Sequence, residues 1–321
     1  MVVQGCSLID DDLSNCGFDY KMHYKMCQPT DIQEVLDYNL PAAADKPARE
    51  AIHKKMAPIF SDIADDLDLA FYQKEDDACT YHSNQTVNSN EADFTFYLPV
   101  VDYNHLATAN TGANQIAIMS DTASSASARL ALSTSETTVG NHQTGIYSGR
   151  LPIAVADTAG QPTLEVDLYM VNSAVALVID SAGRSVKDVS VKLYGTADGF
   201  MLYDSIYTFD KAIVVEAEEI PVEGSPATTG NGIRKRSPQN VEATSVVKHI
   251  CYGMISFPAA KGWEVKVYVT LEDGSVTETV LSPQFALNAS ELVVIKTIMD
   301  SEGVIIPVAT TVTLDWKEGS E

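Results

Sequence analysis

Short runs in which apolar and polar residues alternate strictly recur along this chain, and that period of two restricts what it can fold into. Between residues 18 and 26, aromatic and methionine side chains occupy every even position, and charged or ionisable ones occupy every odd position. Successive side chains of a β-strand point to opposite faces of a sheet, so all the apolar groups of this stretch share one face. The pattern predicts a half-buried strand at residues 18–26.

Similar runs predict a mainly β protein. In the first half they fall at residues 67–71, 94–98, 105–110, 115–120 and 129–134. In the second half they are "LEVDLYMV", "AVALVID", "VSVKLYG", "WEVKVYVTLEDGSVTETVL", "ELVVIKTI" and "TVTLDWK", with Asp273-Gly274 as a two-residue hairpin turn. Short strands at short intervals, without long helices between them, favour antiparallel β-sandwiches.

One stretch has the period of a helix instead. Within residues 45–66, Asp45 is a plausible N-cap, Pro47 lies in the first turn, and Pro58 is expected to kink or break the helix. An apolar stripe at helical spacing follows Ile52, Met56, Ile59 and Ile63. We expect a helical insertion in the N-terminal half, laid across a sheet edge or loop.

The length of 321 residues suits two domains. The connector "DTAGQP" at residues 157–162 separates two strand-like runs and contains glycine and proline, which are typical of a boundary. We therefore predict a leader at residues 1–17, an N-terminal sandwich at 18–157 and a C-terminal sandwich at 162–321. Residues 221–245 have no periodicity and are expected to form a long exposed loop.

The charge of the chain excludes one class of partner. Asp and Glu number 44 against 21 Lys and Arg, which gives a net charge of −23. Such a surface repels nucleic acid and anionic lipid head groups. The one basic cluster, "IRKRS" at residues 233–237, is interpreted as a solvated loop tip, with a docking patch or a protease site as alternatives.

No catalytic, cofactor-binding or metal-ligating residue is nominated. "GNG" at residues 230–232 falls in the predicted loop and does not follow a strand, so it is not a dinucleotide fingerprint. The six histidines are scattered without ligand spacing, and the acidic pairs at 65–66 and 76–77 lack the spaced ligands of a calcium loop. We expect neither an enzyme nor a cofactor.

The beginning of the sequence predicts a lipid anchor. In "VQGC", Val3, Gly5 and Cys6 fit the cleavage site of bacterial lipoproteins, and an acidic run at residues 10–12 supplies a polar tether before the first strand. A signal peptide is then expected upstream of this sequence; the competing interpretation is an incidental thiol in a frayed terminus. The remaining cysteines, which allow three pairings or free thiols, are Cys16, Cys27, Cys79 and Cys251.

Several stretches, taken in their order and spacing, resemble the FimB-type fimbrial subunits of Bacteroidetes type V pili over nearly the whole chain. They are "CSLIDDDLSNCGFDYKMHYKM", "DLDLAFY", "FTFYLPVVDYNHLATAN", "VDLYMVNSAVALVID" and "VTLDWK". The resemblance implies two tandem transthyretin-like sandwiches, export as a lipoprotein with the lipid on Cys6, and a place on the outer membrane in a fimbrium. It also implies other fimbrial subunits as partners.

The same resemblance distinguishes anchors from stalk subunits. Related stalk pilins lose their first strand to an arginine-directed protease, and a strand from another subunit fills the groove by β-strand addition. No arginine precedes Arg49 in this chain, so the strand at 18–26 is expected to stay in place. The chain is thus expected to be a non-enzymatic anchor, accessory or tip subunit.

An alternative function is a surface adhesin or glycan-binding lipoprotein built on the same sandwiches. Tyr103, Tyr147 or Trp263 would then be presented to host or bacterial surface glycans or proteins. Packing of these aromatic side chains in a core is the opposing interpretation, and we favour it because aromatic residues are usually buried.

Overall fold

The computed structural model describes residues 17–27, 30–119, 124–154, 163–223 and 249–309. These residues form a mainly β fold, as the alternation predicts, with two α-helices, α1 (Ile32–Asn39) and α2 (Lys46–Met56). The strands are β1 (Gly17–Cys27), β2 (Ala64–Gln73), β3 (Cys79–Ser89), β4 (Glu91–Pro99), β5 (Tyr103–Ala109), β6 (Ile116–Met119), β7 (Arg129–Leu132), β8 (Thr138–Val139), β9 (Tyr147–Ile153), β10 (Leu164–Met170), β11 (Ser173–Asp180), β12 (Asp188–Thr196), β13 (Gly199–Met201), β14 (Ile206–Thr208), β15 (Ile213–Glu216), β16 (Glu218–Ile220), β17 (His249–Ser256), β18 (Ala259–Thr270), β19 (Val276–Leu281), β20 (Leu292–Met299) and β21 (Ile305–Ala309).

The described strands form four sheets. The first has seven strands in the order β3-β2-β5-β9-β10-β1-β4. Two five-stranded sheets have the orders β16-β17-β11-β20-β21 and β19-β18-β12-β15-β8, and a four-stranded sheet has the order β14-β13-β7-β6. Strands from both sides of residues 157–162 share three of these sheets, all except β16-β17-β11-β20-β21, and the division into two domains stays a prediction.

Three hydrophobic cores hold the layers together. The first lies between the seven-stranded sheet, the two helices and one face of the β11-containing sheet. The second lies between the two five-stranded sheets around the fully buried Trp263, whose indole N–H donates to the carbonyl of Phe285 over 2.8 Å. The third joins the four-stranded sheet to the opposite face of the seven-stranded one. Each sheet thus buries the apolar side of its alternation.

The predicted helix begins at the expected place and is shorter than expected. Helix α2 ends at Met56, two residues before Pro58, because proline cannot continue the hydrogen-bond ladder. Asp45 is the N-cap residue, as predicted, and Pro47 lies in the first turn, but the side chain of Asp45 makes no capping hydrogen bond. Helix α1 was not predicted, although Asp31 caps it through the amides of Gln33 and Glu34.

Two predicted connections can be compared with the structure. The turn between β18 and β19 contains three residues between the paired ends, with Gly274 at φ +87°, so the prediction of a two-residue turn was wrong by one. Of the loop predicted at residues 221–245, only 221–223 are among the described residues. The basic cluster at 233–237 also lies outside them.

Candidate functional site: the first strand and the two edges of its sheet

Strand β1 is held on both sides. It pairs in parallel with β10 over Met22–Cys27 and antiparallel with β4 over Gly17–Lys25. Of the five side chains predicted to be apolar and inward, four are buried in the first core with at most 2% of their surface exposed: Tyr20, Met22, Tyr24 and Met26. The fifth, Phe18, is half-buried against the same core. The strand is therefore an interior member of the sheet. Its removal would break the hydrogen bonds to β4 and β10 and would expose the first core to solvent.

A buried hydrogen bond ties β1 to the far side of its core. The hydroxyl of Tyr24 lies 2.9 Å from Nε2 of His105, and Nδ1 of the same ring lies 2.9 Å from the carbonyl oxygen of Ala70. Because a carbonyl can only accept, Nδ1 carries the proton and Nε2 accepts from Tyr24. Burial lowers the pKa of His105 to about 4, so the imidazole is neutral at pH 7. Its ring stacks on Phe71 with centroids 4.1 Å apart.

The outward face of β1 carries a basic row between two acidic ones. The register places His23 beside Asp93 on β4 and Glu165 on β10, and it places Lys25 between the acids of the next pairs, Glu91 and Asp167. His23 Nδ1 is 2.9 Å from Asp93 Oδ1, and this hydrogen bond raises the pKa of His23. Exposed pairs of this kind are worth little in energy, but they favour one register over a slipped one.

The two edges of the seven-stranded sheet face each other. β3 and β4 are its outermost strands, yet only Asn90 joins them along the chain. Ring contacts show that the sheet curls. The ring centroid of Phe96 on β4 lies 5.1 Å from that of Phe71 on β2 and 5.4 Å from that of Tyr81 on β3. Within the described residues each edge strand pairs on one side alone.

The edge at β3 lacks the usual protection against strand pairing. Its eleven residues, "CTYHSNQTVNS", contain no Lys, Arg, Asp, Glu or Pro. Natural sheets commonly guard exposed edges with charges or proline. Its inward positions, including Tyr81 and Val87, are half-buried against the first core. An extended strand added here could hydrogen-bond to the unpaired main chain of β3 and pack against its half-buried side chains.

The first arginine of the chain lies well beyond β1. Arg49 is in helix α2, where its guanidinium donates to the carbonyl of Leu40 over 2.9 Å and lies 3.2 Å from a carboxylate oxygen of Asp37. A protease that cuts after arginine would have to open this helix before it could separate β1 from the body. The geometry agrees with the prediction that β1 stays in place.

A second charged cluster fixes α2 to the sheet below it. Asp45 is buried, with Oδ2 2.7 Å from Nζ of Lys296 on β20 and Oδ1 3.2 Å from Nε2 of His249 on β17. Buried Cys251 is nearby, and burial raises its pKa, which keeps the thiol protonated. Asp45 and His249 are buried, whereas Lys296 is partly exposed, and the cluster is structural in character. No alternation in the sequence indicates it, because its members come from three separate elements.

The remaining sequence predictions fall into three groups. Cys6 and Cys16 lie outside the described residues, and Cys27, Cys79 and Cys251 are free thiols. Tyr103, Tyr147 and Trp263 are fully buried, so the hypothesis that they are presented to a glycan was wrong. The described residues hold no group of three His, Cys, Asp or Glu side chains placed to bind a metal ion. No helix among them is long and apolar enough to cross a membrane.

Comparison with known proteins places the chain among fimbrial proteins. The family model of the fimbrillin-A associated anchor proteins Mfa1 and Mfa2 matches residues 36–320. A similar solved structure is the fimbrial anchor protein Mfa2 from Porphyromonas gingivalis, with 10% identity over 91% of this chain and 96% of that one and a TM-score of 0.50.

Two further solved structures have the same fold. A candidate polysaccharide-binding protein from Bacteroides thetaiotaomicron has 13% identity over 91% of this chain and 96% of that chain, with a TM-score of 0.54. A candidate adhesin from Bacteroides ovatus has 11% identity over 92% and 94%, also with a TM-score of 0.54. No curated protein sequence matches the chain.

Proposed function

This chain belongs to the family of fimbrillin-A associated anchor proteins Mfa1 and Mfa2, and we propose that it serves as an anchor or accessory subunit that ends a fimbrium and does not polymerise within it. The family consists of fimbrial structural proteins of the cell surface, which agrees with the non-enzymatic prediction. The observation that carries the proposal is β1, which occupies its own place in the sheet. A subunit with that place filled cannot accept a donor strand there.

Treatment of the folded protein with an arginine-specific protease tests the retained strand. We expect the new N-termini to lie after Arg234 or Arg236, in the predicted loop, and β1 to remain attached to the body. Arg49 is held in helix α2 and resists cutting. A product that begins at Glu50, lacks β1 and stays folded would mark a polymerising stalk subunit and would refute the proposal.

The membrane attachment is proposed to be a lipid on Cys6. The support is the sequence pattern around that residue, with small or apolar residues before the cysteine and an acidic run after it. Mass spectrometry of the N-terminal peptide from native membranes should find acyl chains on Cys6. The Cys6→Ser variant should be released from the membrane fraction, whereas Cys27→Ser should be retained, because Cys27 is the last residue of β1.

Contact with other subunits is proposed to use strand addition at the unguarded edge β3. A lysine introduced at Ser83, on the same half-buried face as Tyr81, would place a charge under the incoming strand. We expect Ser83→Lys to lose most of the capture of fimbrial subunits in a pull-down from fimbriated cells. Asn84→Lys, one residue along and facing solvent, is the matched control and should bind normally. Equal binding by both variants would exclude this edge.

Glycan binding is a second candidate, favoured by one feature of the surface. A cavity of about 430 Å³ between α1 and the loop before β20 is lined by the exposed Tyr38 together with Asn39 and Asn288. An exposed aromatic face beside amide groups suits a sugar ring, and a structural relative is named for polysaccharide binding. A glycan array with the native chain and Tyr38→Ala tests it, and signals that are the same for both would reject this cavity as the site.

A further inference from the structure

Strand β20 is only half covered on its outer side. β21 pairs with Lys296–Met299, the second half of β20. The first half, Leu292–Ile295, pairs with β11 on the inner side, and the described residues provide no partner strand on the outer side. Strand β21 ends at Ala309, which lies opposite Lys296. If the strand continued, its next residue would lie opposite Ile295.

An apolar cavity of about 190 Å³ opens next to this uncovered stretch, and we refer to it as the β19–β20 groove. It lies between the edge strand β19 and the edge formed by β20 and β21. Its lining is mostly apolar and consists of Thr279, Val280, Leu281, Ser282, Pro283, Phe285, Ile295, Ile305 and Pro307. An occupant therefore needs apolar side chains at the positions that face the second core.

The chain itself contains a segment of the required length and pattern. Twelve residues, 310–321, follow β21 directly and lie outside the described residues. In the first seven of them Val312, Leu314 and Trp316 alternate with polar residues. Four residues are enough to match Leu292–Ile295, so the segment is long enough to cover this half of β20 and reach the groove.

The register of β21 decides which side chains would face the groove. Continuing the antiparallel ladder from Ala309 opposite Lys296 places Thr310 opposite Ile295 and Val312 opposite Val293. Opposed residues of an antiparallel pair share a face, and Val293 and Ile295 face the second core. Val312, Leu314 and Trp316 then all fall on the groove side, whereas a slip of one residue would turn all three outward.

We propose that residues 310–316 continue β21 along Leu292–Ile295 and fill the β19–β20 groove with Val312, Leu314 and Trp316. The chain's own C-terminal segment then covers the second core at this edge of the sheet. The proposal concerns the edge of β20 beside the second core, and it does not depend on the function proposed above.

Hydrogen exchange with mass spectrometry tests the proposal on the full chain. The comparison uses a chain that ends at Ala309 and a control chain that ends at Lys317. Successive amides of a strand point to alternate neighbours, so every second amide of Leu292–Ile295 points to the outer side, and the others point to β11. In the full chain and the control, these outward-pointing amides should be protected. In the chain that ends at Ala309 they should exchange at least tenfold faster, while β11 and β17 keep their protection and show that the fold is intact.

Paired substitutions test the register. Val312→Asp combined with Leu314→Asp should expose Leu292–Ile295 as the truncation does, because both charges would enter the groove. Thr313→Asp, which the same register turns away from the groove, should leave the protection unchanged. Trp316 fluorescence, obtained by difference from a Trp316→Phe variant, should be shielded from acrylamide in the full chain and accessible in the Val312→Asp, Leu314→Asp variant.

Three results would overturn the proposal. The first is rapid exchange of the outward-pointing amides of Leu292–Ile295 in the full chain, and the second is protection of these same amides that survives removal of residues 310–321. The third is protection that rises with protein concentration together with sedimentation as a dimer, since the occupant would then be the segment of a second copy.

Discussion

Two of the buried histidines, His105 and His142, make the stability of the fold depend on pH. Burial lowers the pKa of His105 and of His142 to about 4, below the ordinary value of 6.5. Between these values the unfolded chain binds protons that the folded chain cannot bind. The free energy of unfolding therefore keeps its full value with respect to these two groups above about pH 6.5, and it decreases as the pH falls towards 4.

We expect the free energy of unfolding to fall by about 2 kcal/mol for each of these histidines between pH 7.5 and pH 5. Urea denaturation at the two pH values measures the difference. In His105→Gln the loss should be about half as large, because one of the two groups no longer titrates. An unchanged pH dependence in that variant would show that folding does not shift the pKa of His105.

Asp45 offers a second prediction at the scale of one residue. Asp45→Asn removes the charge that Lys296 and His249 share beneath α2, and removal of one partner from a buried ion pair costs about 3–5 kcal/mol. Glu50→Gln, which breaks the exposed pair with Lys46 on the same helix, should cost less than about 0.5 kcal/mol. Thermal unfolding of both variants checks the contrast, and equal losses would contradict a buried role for Asp45.

At the scale of elements, β1 supplies a large part of the first core. Four large side chains of this strand are buried, and each contributes roughly 1.5–3 kcal/mol by leaving water. Their sum of about 6–12 kcal/mol is comparable with the whole stability of an ordinary domain. Further along the sheet, the buried bond between Tyr24 and His105 would also be lost with the strand.

A chain that begins at Gly17 should therefore unfold cooperatively, whereas one that begins at Gln28 should not. Circular dichroism during heating, together with binding of a hydrophobic dye, measures the difference between the two truncations. If both chains melted at the same temperature, β1 would be dispensable for the fold.

Alternation and short apolar runs predicted the strands with at least one buried apolar face, such as β1 and β11, and missed the polar edge strand β3. Strand β1 was predicted at 18–26 and lies at Gly17–Cys27, because a fully buried apolar face leaves an unbroken signal. β3 was missed since an edge strand with polar residues on both faces has no contrast to detect. Helix α1 carries a recognisable Asp31 cap, but its eight residues are too few for a clear apolar stripe.

The candidate site was predictable only in part for a related reason. The retained first strand followed from the position of Arg49 and the resemblance to fimbrial subunits. His105 and the acidic rows on β4 and β10 were not identified, because they meet β1 only through pairings between strands distant in sequence. Such pairings depend on topology, which a period of two does not specify.

For the whole molecule, the topology predicts that a cut in the middle of the chain leaves one particle. β11 lies between β17 and β20, so strands from before and after residues 224–248 are interleaved in one sheet. After cleavage at Arg234 or Arg236 the two fragments should elute together in gel filtration and separate in urea. Separation without denaturant would contradict this arrangement.

The position of β1 also determines how the protein would respond to mechanical load. A pull on the chain before Gly17, directed along the strand, strains the ladders with β4 and β10 simultaneously. Hydrogen bonds loaded together in shear resist rupture far better than bonds that open one after another. With the lipid proposed on Cys6, tension at the N-terminus would load this sheet in its most resistant direction.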